Sequence, residues 1–235
     1  MIRIEKLYKK FGKVEVLKNL DLNITKGGIF AILGPNGSGK TTLIKSILGM
    51  VIPDNGEILL DEKSVLKKWN YRNNISYLPQ IANFPDNLTV EELIRMIKNL
   101  RDCSTTENEL INLFGIRSFL DKKLVNLSGG TKQKVNLILT FMFDSELIIL
   151  DEPTSGLDPV ALIHLKKIIQ TEKEKGKTIL ITTHIMSLVE EISDEIVFIL
   201  DGKIYFKGTV QELKTQTKEN NIEYAIANLL TQENV

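Results

Sequence analysis

Three short segments of this 235-residue chain carry side chains whose types and spacing could do chemistry. The first is Gly34-Pro35-Asn36-Gly37-Ser38-Gly39-Lys40-Thr41-Thr42, a glycine-rich loop closed by a lysine and two hydroxyls. Glycines let the backbone curl so that successive N–H groups point inward, and such a nest at a helix N-terminus cradles phosphate oxygens. Lys40 adds a point charge for the β- and γ-phosphates, Thr41 a hydroxyl for Mg²⁺ and Thr42 a hydroxyl for the α-phosphate. The second segment is Leu147-Ile148-Ile149-Leu150-Asp151-Glu152, an apolar run ending in two carboxylates. Asp151, at the strand end, can hold Mg²⁺ directly or through water, and Glu152 suits polarising an attacking water. The third is Leu127-Ser128-Gly129-Gly130, which lies between the other two. The loop alone implies only a bound nucleoside triphosphate.

These residues need particular elements to hold them. Ile29 to Leu33 is fully apolar and rich in strand formers, the pattern of a buried central strand, and Thr42 to Leu48 has helical spacing up to Gly49. Strand, glycine loop and helix in succession form the context that a phosphate-binding loop requires. Residues 1 to 25 read as strand segments around a Lys9-Lys10-Phe11-Gly12-Lys13 turn, and Glu57 to Leu60 and Ile75 to Leu78 read as further strands. From about 81 to 145 the pattern turns helical. Thr89-Val90-Glu91-Glu92 is a capping box for a helix through Leu100, and a second helix from Thr106 ends at Gly115. Asp158-Pro159 opens a long helix towards Gly176. Strands follow at Thr178 to Thr182 and Glu195 to Leu200, and Asp201-Gly202 turns the chain into Lys203 to Lys207. A last helix, at about 219 to 231, packs on the core or binds a partner. The whole reads as one domain over 1–235, an α/β core with an inserted helical subdomain.

Bulk composition narrows the class. Apolar content of 43% and charged content of 26% are those of a globular protein. Basic and acidic residues balance at 30 each, so no net positive charge points to nucleic acid. The one cysteine, Cys103, rules out an internal disulfide and fits a reducing compartment. No apolar run reaches the roughly 20 residues that span a bilayer, and the alternating N-terminus is a strand rather than a signal. The expectation is a cytoplasmic protein whose membrane role comes through a partner.

Taken in order, the loop at 34–42, Leu127-Ser128-Gly129-Gly130 and Asp151-Glu152 resemble the ATP-binding subunits of ABC transporters, from Phe11 to His184. The resemblance implies a P-loop NTPase fold of ABC type with an antiparallel β region and a helical subdomain, binding ATP and Mg²⁺. It implies an aromatic, here Phe11, stacked on adenine with Val16 lining the same pocket; a core role for that ring stays open. It gives Gln80 contact with the metal and the attacking water, and His184 contact with the γ-phosphate. His164, mid-helix, reads as packing or surface. The family's Ser128, Gly129 and Gly130 equivalents bind the γ-phosphate held by a second subunit, and Asp158 lies at the same seam. A second ATPase chain, forming a homodimer, and a separate integral membrane permease are therefore the implied partners, with no nucleic acid. The protein would sit on the inner face of the cell membrane, touching it only through the permease. One departure stands out: Thr131 follows Gly130 where the family usually has glutamine, while Gln133 is retained.

The stretch Tyr77-Leu78-Pro79-Gln80-Ile81-Ala82-Asn83-Phe84-Pro85, with Leu127-Ser128-Gly129-Gly130-Thr131-Lys132-Gln133-Lys134 and Thr183-His184-Ile185-Met186, is similar to the NosF-type ATPases that serve assembly of the copper centres of nitrous oxide reductase. The alternatives are the ATPase of a multidrug or other small-molecule exporter, or a non-transport relative acting on ribosomes or DNA. The last usually carries paired ATPase units, a long coiled coil or basic extensions, none of which is visible here.

Overall fold

The computed structural model describes residues 1–101 and 104–231; Cys103 lies outside the described residues. By its internal contacts the chain divides into two compact units, Met1–Arg72 with Thr178–Val235, and Asn73–Lys177.

The first unit holds two sheets. The antiparallel one has the order β2-β1-β4-β5, from β1 (Ile2–Phe11), β2 (Val14–Ile24), β4 (Asn55–Leu60) and β5 (Lys63–Ser64). Ile2, Ile4 and Leu7 of β1 are buried against Leu20, Leu22 and Ile24 of β2, a packing of β-branched and leucine side chains on one face. The other sheet runs β10-β9-β3-β8, with β3 (Gly28–Leu33) parallel to both β8 (Thr178–Thr182) and β9 (Glu195–Leu200) and β10 (Lys203–Gly208) at its edge. Ile29 to Leu33 are all buried, which explains their continuous rather than alternating apolar pattern. β9 turns into β10 (Lys203–Gly208) through Asp201 and Gly202, both at positive φ as a type I′ turn requires. Helix α1 (Lys40–Ile47) follows β3 and buries Leu43, Ile44 and Ile47.

The second unit contains β6 (Ile75–Leu78) parallel to β7 (Leu147–Asp151), with helices α2 (Val90–Arg101), α3 (Glu107–Leu113), α4 (Gly129–Phe141) and α5 (Pro159–Glu174). The capping box forms: Thr89 N–H donates to Glu92 Oε2 (2.8 Å) and Glu92 N–H to Thr89 Oγ1 (3.2 Å). Those bonds hold the Glu92 carboxyl below the usual range. Asp158 caps α5 by accepting from the Ala161 N–H at 2.8 Å. No helix among the described residues is long and apolar enough to cross a membrane.

Several expectations need correction. The strand β1 runs on through Phe11, so the turn is confined to Gly12-Lys13. The last helix, α8 (Ile222–Thr231), begins three residues after the expected start at about 219, at the first residue of the apolar spacing. Lys218 adopts a left-handed conformation (φ 60) that stops α7 (Val210–Thr217), and Asn221 Oδ1 accepts from the Glu223 N–H to start α8. Two helices escape the apolar periodicity altogether: α7, and α6 (Met186–Ile192). The signal for α7 is present, since Thr209 and Glu212 form a reciprocal capping box.

Candidate nucleotide-binding site

Within the first unit, Gly34–Gly39 spans the gap from β3 to α1, at the carboxyl end of parallel strands where α/β sheets place ligands. Gly34 (φ 145) passes so close to β9 that a Cβ would lie 2.0 Å from the Ile199 carbonyl oxygen. Gly39 (φ 108) backs onto β2, where a Cβ would meet the Val16 carbonyl at 2.9 Å. The β9–β10 turn closes the frame: Gly202 N–H donates to Ser38 O (3.1 Å), and Lys18 N–H to Gly202 O (2.9 Å). Only glycine satisfies both the backbone twist and the close approach. Lys40 Nζ folds over its own loop, donating to the carbonyls of Gly34 (2.6 Å) and Pro35 (2.9 Å). Among the described residues the buried Ser38 hydroxyl has no hydrogen-bond partner. Among the described residues no side chain caps α1. An orphaned hydroxyl and a helix start with no side-chain cap, beside a lysine folded over the same loop, together fit a phosphate chain, which accepts from all three. Thr41 is exposed and Thr42 half-buried on the first turn.

His184 belongs to the same end of the sheet. Thr182 pairs with Ile32 in parallel register, so the chain after β8 leaves beside the chain after β3. His184 is exposed there, and Thr183 Oγ1 accepts from the Ile185 N–H to shape its turn. Phe11 is not a core aromatic: it is 49% exposed at the end of β1. Lys9 Nζ stands 5.3 Å from its ring centroid and pairs with Asp54 at 3.0 Å. Val16 is half-buried.

The second unit carries the carboxylates. Leu78 pairs with Leu150, so Gln80 and Asp151-Glu152 emerge side by side from β6 and β7. Gln80 is exposed, and Asn136 Nδ2 donates to the preceding Pro79 carbonyl at 3.4 Å. Asp151 is buried, and its charge joins burial in pushing the Tyr77 phenol up to about 12. Glu152 has φ 50, a conformation that costs a non-glycine residue about 1 kcal/mol or more and clusters at functional positions. Among the described residues no three His, Cys, Asp or Glu side chains group to hold a metal. A magnesium ion needs no such group, since one or two protein oxygens and substrate phosphates suffice.

Ser128 and Gly129 are exposed at the start of α4, Ser128 as its N-cap. Three ties, which the spacing of the sequence does not reveal, bind this helix to the segment after Glu152. Gly130 lies so near Gly156 that a Cβ would meet its carbonyl at 2.7 Å. Gln133 Nε2 donates to Pro153 O at 3.1 Å. Lys134 Nζ reaches Asp158 Oδ2 at 2.6 Å, and this bond, with the Ala161 N–H, holds the Asp158 carboxyl below its usual range. His164, half-buried, packs edge-on to Phe114, with ring centroids 6.2 Å apart.

Comparison with known proteins agrees with this geometry. The family profile described as ABC transporter matches residues 17–155. The lantibiotic transport ATP-binding protein SrtF of Streptococcus pyogenes is 34% identical over 208 residues, covering 87% of this chain and 89% of its own. The L-cystine import ATP-binding protein TcyC of Bacillus subtilis is 30% identical over 244 residues, covering 98% and 99%. A solved structure of an ATP-binding subunit of an ABC transporter superposes with a TM-score of 0.90 at 28% identity, covering 98% of this chain and 99% of that one.

Proposed function

This chain belongs to the ABC transporter family as an ATP-hydrolysing, ATP-binding subunit, and from that premise we propose that two copies close around ATP and drive a separate integral membrane permease. The observation that carries this reading is the exposure of Ser128 and Gly129 on a helix bonded to the loop that follows Glu152. A phosphate-binding helix start that faces outwards suits a nucleotide brought by a second copy. In this reading Gly34 to Thr42 hold the phosphates, with Lys40 exchanging its carbonyl partners for the β- and γ-oxygens. Phe11 offers its ring to adenine, and Val16 backs the loop. Thr41, Gln80 and Asp151 are the oxygen ligands suited to Mg²⁺, which when bound neutralises charge on the phosphates. Glu152 orients and deprotonates the attacking water, His184 contacts the γ-phosphate, and Ser128 with the Gly129 and Gly130 amides stabilises that phosphate from the other chain. The work is then done on the inner face of the cell membrane, in contact with the permease alone.

Glu152→Gln tests this directly. With ATP and Mg²⁺ the variant accumulates as a dimer in sedimentation or size-exclusion measurements, because the glue is bound and not hydrolysed. A chain that stays monomeric overturns the reading. Pull-down from native membranes recovers an integral permease; recovery of ribosomes overturns it in favour of a non-transport ATPase.

For cargo, the similarity of residues 77–85 and 183–186 to NosF-type subunits supports a role in maturing the copper centres of nitrous oxide reductase. Deleting the gene then leaves that enzyme without its copper centres. The relationship to the lantibiotic transport protein supports the second reading, a multidrug or other small-molecule exporter, in which deletion leaves the reductase intact.

A further inference from the structure

Thr131 stands at the third position of α4, where a Ser-x-x-Glu/Gln capping box reaches back to the N–H of the cap residue. Threonine is too short for that. Its backbone N–H donates to Ser128 Oγ (3.3 Å), and its own Oγ1 lies 2.8 Å from the same oxygen. A hydroxyl has one proton and two lone pairs. When Thr131 donates from both its N–H and its O–H, the lone pairs of Ser128 are taken, and the Ser128 proton can go only to an outside acceptor. When the hydroxyl pair is set the other way, Ser128 spends its proton on Thr131 and turns a lone pair outward, where it repels an anion. Ser128 is exposed, so the outside acceptor is free to arrive.

We propose that Thr131 is a positioning residue for the phosphate of a second copy: it donates to Ser128 Oγ and so commits the Ser128 proton to a γ-phosphate oxygen. This rests on the reading of Ser128 given above. The donor chain runs from Thr131 O–H to Ser128 O–H to phosphate, and each link polarises the next. β-branching holds the Thr131 hydroxyl in a restricted χ1 range, which a flexible glutamine at this position would not provide. The departure from the common signature is thus a second way of preparing the same serine.

The test compares Thr131→Val and Thr131→Ala, which lack the hydroxyl, with Thr131→Ser, which keeps it. Each is made in the full-length Glu152→Gln chain, and the ATP concentration that gives half-maximal dimer is read by sedimentation. Loss of one bond in a chain to a charged group raises that concentration about tenfold in Thr131→Val and Thr131→Ala, while Thr131→Ser stays within about twofold of the parent. In chains that retain Glu152, kcat falls more than KM rises for the same two variants. Melting temperature stays level in all of them, because the backbone cap to Ser128 is kept. Dimerisation of Thr131→Val and Thr131→Ala at the parent's ATP concentration overturns the proposal alone, as does a Thr131→Ser chain as weak as Thr131→Val. A monomeric Glu152→Gln parent removes the reading of Ser128 itself, and the proposal with it.

Discussion

Tyr77 and Asp151 lie on neighbouring parallel strands, and burial together with the carboxylate holds the phenol proton up to about 12 against an ordinary value of 10. The sign of the consequence follows from which state ionises first. Below pH 10 both folded and unfolded chains keep the proton, and the contribution to stability is complete. Between pH 10 and 12 the unfolded chain loses its proton while the folded one still binds it, so stability falls. Two pH units correspond to at most about 2.7 kcal/mol, and the half-exposed ring reduces this to roughly 1 kcal/mol. Denaturant titrations at pH 9 and 12 therefore show a loss in the parent that exceeds the loss in Tyr77→Phe by about that amount. Equal losses would mean that neither burial nor the Asp151 charge raises the Tyr77 phenol in the folded chain.

At the scale of elements, the strands and the helices that carry chemistry are legible because each is marked by local rules. Buried Ile29–Leu33 is a continuous apolar run, and Thr89 and Asp158 are marked caps. The helix α7 is less legible because its apolar face is thin: only Leu213 and Thr217 are buried. Its cap therefore matters more. Thr209→Ala removes one side of the box and costs about 1 kcal/mol, a fall of about 2–4 °C in Tm for a chain of this size, with ATP hydrolysis unchanged. Calorimetry checks it, and an unchanged Tm would mean that packing of Leu213 holds the helix without its cap. The ties between α4 and the 153–158 segment were not legible, since Gly130–Gly156, Gln133–Pro153 and Lys134–Asp158 are each more than 19 residues apart in sequence.

At the scale of the molecule, the exposed Ser128 makes a prediction about concentration. If each nucleotide needs Ser128 to Gly130 of another copy, a single chain is an incomplete enzyme. At saturating ATP the hydrolysis rate per chain then rises with protein concentration until the dimer is formed, and levels off only above its dissociation constant. A specific activity that is flat from nanomolar to micromolar protein would show that one chain suffices.

The order Gly34–Thr42, Leu127–Gly130, Asp151-Glu152 was enough to determine the family, because glycine, lysine and carboxylate at those spacings serve one kind of phosphate chemistry. The parallel strands at 29–33, 147–151 and 178–182 followed from largely apolar runs whose burial on both faces leaves no alternation to misread. Tertiary structure alone decided what backs the phosphate loop: the Ile199 and Val16 carbonyls lie too close to Gly34 and Gly39 to admit a Cβ. It alone placed Phe11 outside the core, and it alone put the Thr131 hydroxyl on Ser128. The physical reason is the same in each case. Backbone propensity and apolar periodicity are local and act along the chain, whereas close approach, exposure and hydrogen-bond direction depend on which distant segment folds up against a given residue.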